Sequence, residues 1–174
     1  SVVDFTYNRP RPNDNNAPLK ISNHLDVPYF SADIIHCGGN YMTDGLGISA
    51  STDLVFEENN ISNEQVYDIM EDYYGIETYH VVPDPNNTYI DHIDCWGKYL
   101  SPTKVMIREV PNTHPQHNEI EEIANYFSNS TTNWNESWEL YRVWTPSNQP
   151  YTNSMILNNK IFVPTTGSSW DEEA

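Results

Sequence analysis

The stretch Asp91-His92-Ile93-Asp94-Cys95-Trp96-Gly97-Lys98 concentrates the reactive chemistry of this chain. In extended backbone alternate side chains share a face, so His92 and Asp94 fall on one side and Cys95 on the other. An imidazole beside a carboxylate can hold a cationic group and move its protons. The same pair also describes a histidine beside a solvated acid at a strand end, and the octapeptide alone leaves both open. A second pole is the run Gly38-Gly39-Asn40-Tyr41-Met42-Thr43-Asp44-Gly45. Its glycines let backbone approach a ligand closely, but it lacks the spacing of a phosphate-binding loop, and Asp44 reads equally as a turn-capping residue. Arg9 and Arg11, on either side of Pro10, present guanidinium forks suited to a carboxylate, or simply neutralise acidic neighbours. No activated nucleophile stands out. Cys95 points away from His92, Cys37 sits in an apolar strand with only His36 beside it, and the serines have no triad-like surroundings. His114 and His117 are three apart, yet no further His or Cys nearby completes a zinc site.

These residues need a scaffold, and 174 residues suffice for one domain but not for two ordinary ones. Twelve Tyr, five Trp and five Phe supply the buried area of a packed core. Eight basic against twenty-five acidic side chains give a formal charge of −17, which repels a phosphate backbone and argues against nucleic acid as a partner. The same excess attracts small cations or basic peptides, or serves only solubility. No run has the length and apolarity of a membrane span. Ser1 opens directly into a strand-like alternation instead of a basic, apolar signal peptide, and the expectation is that something precedes it.

Alternation predicts a strand over Val2 to Tyr7, then a Pro- and Asn-rich loop and a helix near Leu19 to Leu25. Strands follow at Ala32 to Cys37 and Ile48 to Phe56, punctuated by the glycines between them. Ser62 to Gln65 is a capping-box candidate, with Val66, Ile69, Met70 and Tyr73 at helical spacing and Gly75 as the stop. A strand returns at Tyr79 to Val82. The order then repeats: strands at Tyr89 to Cys95 and Lys104 to Arg108, a helix through Ile120, Ile123, Ala124 and Phe127, and a strand at Leu140 to Trp144. The unit is ββαβ, and a third copy begins with the hairpin Ser154 to Val163. Such units need neighbours to bury their apolar faces. Composition and spacing alone stop at an acidic α/β domain with a His-Asp site for something cationic.

Four stretches go further. Asn8-Arg9-Pro10-Arg11-Pro12-Asn13-Asp14, the Gly38 to Gly45 run, Tyr89 to Lys98, and Tyr151-Thr152-Asn153-Ser154 running into Leu157 to Pro164 resemble, in order and spacing, the bacterial Porphyromonas-type peptidylarginine deiminases, relatives of the agmatine deiminases. The resemblance covers essentially the whole chain. It implies an α/β fold, part of a pseudo-fivefold propeller of ββαβ units, of which residues 1–174 would form one incomplete domain of about three units. It implies hydrolysis of a guanidinium to a urea with release of ammonia, through a cysteine thiouronium intermediate and without metal or organic cofactor. His92 matches the histidine that protonates the leaving amine and activates water. Asp94 matches an aspartate gripping the guanidinium. Tyr89 and Asn153 match positions near the substrate, Asp44 a supporting one, and Arg9 and Arg11 the pair that holds the carboxylate of a carboxy-terminal arginine. The implied partners are a peptide ending in arginine, free arginine, or agmatine.

Two family elements are absent: a Trp-x-Arg-Asp segment, which would precede Ser1, and the nucleophilic cysteine, which would follow Ala174. The expectation is a fragment of a deiminase that is inactive alone. The alternative is a noncatalytic module that binds arginine-terminated peptides or agmatine.

Overall fold

The computed structural model describes residues 1–174. The chain opens with β1 (Val2–Tyr7), a single turn α1 (Pro12–Asn15), α2 (Ala17–Leu25) and β2 (Tyr29–His36), with β2 parallel to β1. Next come β3 (Met42–Thr43), β4 (Ile48–Thr52), α3 (Leu54–Glu57), α4 (Asn63–Tyr74) and β5 (Thr78–Val82), where β3 and β4 are antiparallel and β4 and β5 parallel. The same pattern returns in β6 (Gly97–Ser101), β7 (Lys104–Glu109), α5 (His117–Asn129) and β8 (Glu139–Trp144). A hairpin of β9 (Met155–Leu157) and β10 (Lys160–Phe162) follows. The ββαβ repeat read from periodicity is therefore present twice in full. The strands form four separate sheets, none of which closes on itself.

Local chemistry accounts for the clearest boundaries. Ser62 accepts from the Gln65 amide while the Gln65 side chain accepts from the Ser62 amide, which satisfies two donors that a helix start leaves unpaired. Gly75 ends α4 in the left-handed conformation at φ 67°.

Two predicted strands are corrected. The extended run Ile48 to Phe56 ends at Thr52, because Leu54–Glu57 coils into α3. Tyr89 to Cys95 is not a strand at all: Asp91 is left-handed at φ 52°, Ile93–Cys95 forms a 3₁₀ turn, and pairing begins only at Gly97. The Thr52 hydroxyl donates to the Asp91 carbonyl at 2.6 Å, which pins that bend.

The turn before β6 has a counterpart before β3. Gly38–Asn40 is also a three-residue 3₁₀ turn, entered from an extended residue, Cys37, as Ile93–Cys95 is entered from an extended His92. In both, the first residue's carbonyl accepts the amide three positions on, from Tyr41 to Gly38 and from Trp96 to Ile93. Cys37 and His92 thus occupy equivalent places in successive units, as do Gly39 and Asp94. The two turns pack against each other near the larger core, which includes Ile48, Ile93, Trp96, Ile107 and Phe127. Ile93 and Trp96 are fully buried there and clamp the turn from both sides of Asp94 and Cys95. A smaller core around Ile34, Val55, Val66 and Met70 supports β2 up to Cys37.

Candidate active site

The site is assembled where the two 3₁₀ turns meet. Asn40 is the staple: its buried Oδ1 accepts from the Thr52 amide at 2.9 Å and from the Ile93 amide at 3.2 Å, tying the first turn to β4 and to the second turn. Gly39 then lies against both reactive side chains. A Cβ at that position would stand 2.5 Å from His92 Nδ1 and 3.0 Å from Asp94 Oδ2. Only glycine allows so close an approach. On the other side of the ring, Cys37 Sγ lies 3.0 Å from His92 Nε2.

The electrostatics follow from burial. His92 is 9% exposed. Its pKa is lowered, first by loss of water and then by the Arg9 guanidinium, so the neutral imidazole is the form favoured near pH 7. Burial raises the Cys37 thiol and keeps it protonated. Burial also raises the Asp94 carboxyl, against the opposing effects of the Cys95 thiol and the Lys98 charge. Lys98 in turn is lowered by burial, with Asp94 opposing. Desolvation outweighs attraction for both partners, and they form no ion pair within 4.0 Å. Asp94 and Lys98 line a cavity of about 380 Å³ together with Gly38, Tyr41 and Asn153. A planar cation in that cavity would give the carboxylate the partner it lacks.

The predicted residues divide. His92 and Asp94 converge, although through a bend and a 3₁₀ turn rather than along one strand face. Asn153, in the turn before β9, shares the Asp94 cavity. Arg9 is half-buried with Nη2 unpartnered, and its charge reaches both His92 and Cys37. Arg11 parts from it: its side chain is exposed and lies 3.6 Å from Asp14. Asp44 caps its own turn, accepting from the Leu46 and Ile48 amides. Tyr89 is 96% exposed and touches none of the others. Sequence reasoning missed Cys37 as the neighbour of His92, since nothing links residues 37 and 92 until the repeats are superposed. The available signal was its position immediately before a glycine pair. Lys98 was also missed.

Neither thiol is activated by its surroundings. Cys37 is 2% exposed and protonated, and Cys95, 3.6 Å from Asp94 Oδ1, is pushed up to about 12 by burial and by that carboxylate.

The family model for Porphyromonas-type peptidyl-arginine deiminase matches residues 1–174. Solved structures with the same fold include a Porphyromonas gingivalis protein described as an arginine deiminase, with a TM-score of 0.85 at 16% identity over 98% of this chain and 58% of the other. A C. jejuni agmatine deiminase gives 0.78 at 17% identity, over 98% and 54% of the two chains. An agmatine deiminase of Enterococcus faecalis gives 0.75 at 17% identity, over 94% and 48%. The chain therefore spans about half the length of these relatives.

Proposed function

Because this chain belongs to the Porphyromonas-type peptidyl-arginine deiminase family, we propose that the cavity at Asp94, with His92 beside it across Gly39, is the guanidinium-binding part of a deiminase site. The observation that carries this is the convergence of His92 and Asp94 on Gly39 beside a cavity whose carboxylate has no cationic partner. Asp94 accepts the guanidinium N–H groups and fixes the carbon for attack. A cysteine thiol gives its proton to the neutral His92 as its sulfur adds to that carbon, the C–N bond breaks, and His92 passes that proton to the departing ammonia. His92 then takes a proton from water, which displaces the thiolate from the thiouronium and leaves a urea. Burial raises both thiols present, which supports the reading that the nucleophile is not among these 174 residues and that the chain alone releases no ammonia.

In this reading the units are three of a pseudo-fivefold propeller. The apolar surface left open on Leu19, Ile21 and Leu25 of α2 and on the β9–β10 hairpin suits contact with further units. The unpartnered Nη2 of Arg9 favours a substrate with a carboxylate, such as a peptide ending in arginine, over agmatine. Asn153 contributes from the cavity wall, whereas Arg11, Tyr89 and Asp44 join only if their segments move.

Calorimetry on the 174-residue chain tests the site with agmatine and with an acetylated glycyl-arginine peptide. Saturable binding that is lost in Asp94→Asn is expected, with the peptide bound more tightly. A folded protein that binds neither would sink the proposal, and citrulline formed by the chain alone would overturn its predicted inactivity. The second reading, a noncatalytic module for arginine-terminated peptides or agmatine, is favoured by the protonated state of both thiols. It predicts the same binding and no turnover even when the 174 residues are supplied with a cysteine-bearing partner segment.

A further inference from the structure

Arg108, on β7, is 3% exposed, and no carboxylate lies within ion-pair distance of it. Its Nε–H donates to Thr145 Oγ1 at 2.9 Å, Nη1 to Asn86 Oδ1 at 2.8 Å, and Nη2 to the Thr145 carbonyl at 3.1 Å and Asn148 Oδ1 at 2.9 Å. Four of five N–H groups are satisfied, and every acceptor is neutral. The carboxylate that acts on it, Asp84, stays beyond 4.0 Å, so this buried cation lacks the contacting countercharge that normally accompanies burial.

The guanidinium borders a cavity of about 230 Å³ lined also by Asn86, Cys95, Gln116, Asn148 and Asn153. The carbonyl oxygens of Asn86 and Asn148 are turned onto Arg108, which leaves their NH₂ groups without partners in the protein. The side-chain amides of Gln116 and Asn153 are likewise free. The wall is thus rich in donors, while the acceptors of two of its amides are already committed to the cation. That polarity suits an anion. The cavity also adjoins the one described above: Asn153 lines both, and Cys95 reaches from this wall to Asp94 at 3.6 Å.

We propose that the cavity over Arg108 binds a carboxylate, presented either by a small organic acid or by an acidic side chain of a peptide whose arginine lies at Asp94. The peptide source rests on the deiminase reading above; the carboxylate site does not. Arg108 supplies the charge, and Asn86, Asn148 and Gln116 supply the N–H groups that fix the carboxylate plane.

The test follows the side-chain amide signals of Asn86, Asn148 and Gln116 by ¹H–¹⁵N NMR during titration with acetate, and with chloride at matched ionic strength. Saturable shifts with acetate alone are expected. Asn148→Asp, an exposed position whose new carboxylate would pair with Arg108, keeps the fold and weakens acetate binding at least tenfold. Shifts that acetate and chloride produce equally, or an Asn148→Asp protein that binds acetate as wild type does, overturn the site. The dipeptides acetyl-Asp-Arg and acetyl-Asn-Arg then separate the sources. Tenfold tighter binding of the first, lost in Asn148→Asp, supports the peptide side chain. Equal binding of the two overturns that source and supports the small acid. Acetate binding with no response to either dipeptide overturns the peptide source and leaves the carboxylate site standing, and agmatine in the same titration decides the deiminase reading separately.

Discussion

Replacing Gly39 with alanine should damage the site more than any other single methyl group. The added Cβ would sit 2.5 Å from His92 Nδ1, so the ring must retreat by about 0.9 Å to reach ordinary contact. Its retreat is opposed by Cys37 Sγ, already 3.0 Å from Nε2. Asp94 Oδ2, at 3.0 Å from the same point, must give as well. Overpacking of this kind costs about 1–3 kcal/mol, and a displacement near 1 Å at a reacting group lowers rate by about 100-fold. Urea unfolding of Gly39→Ala should show that loss as a lower midpoint at unchanged slope. His92 should also titrate at a different pH by NMR, because its contacts with Cys37 change. Gly38→Ala is the control: a Cβ there meets nothing within 4 Å, and stability should stay within about 0.5 kcal/mol of wild type. A Gly39→Ala protein with wild-type stability and an unmoved His92 titration would refute the close approach on which the site is built.

His36 is 2% exposed and its pKa falls to about 4, first through burial and then through the nearby His92. A histidine depressed in the folded state stabilises above its unfolded value near 6.5, and that stability is lost as pH falls towards 4, to the extent of ~3 kcal/mol. Comparing wild type with His36→Gln across that window isolates it from Asp91, which is raised to about 6 and works in the opposite direction. Asp171, lowered to about 2 chiefly by the Tyr151 hydroxyl and then by Thr166 and Gly167, should hold its segment until pH falls from near 4 towards 2. Asp171→Asn should accelerate hydrogen exchange at the Thr166 and Gly167 amides, and unchanged rates would contradict the clasp. Arg9→Ala should raise the His92 pKa by NMR titration, since that charge depresses it, while Arg11→Ala should leave it in place.

The repeat was legible because each ββαβ unit carries its own periodicity and its own stop signals. The capping box at Ser62 and the helix through Ile120 to Phe127 declare themselves within a dozen residues. The bend at Asp91 did not, because the hydroxyl that holds it belongs to Thr52, in the preceding unit. His92 and Asp94 do lie on one side, but not through the strand alternation expected of them. A 3₁₀ turn brings them together around Gly39, and the glycine pair had been read separately. Cys37, Lys98 and Arg108 were invisible for the same reason. Each matters through a contact or cavity wall formed with another unit, and spacing along one chain carries no record of which units touch.

The equivalence of the turns at Gly38–Asn40 and Ile93–Cys95 bears on how such a site can change. When two copies of one backbone shape face each other, new chemistry needs no new loop, only point substitutions on a path already laid down. One copy carries imidazole and carboxylate, and its mate carries a thiol and a missing side chain at the matching places. Reactivity in one half and vacancy in the other are then complementary outcomes of divergence. An insertion or deletion in either turn would break the match for both, so variation among related chains should run through residue identity here and leave the length of these two turns alone.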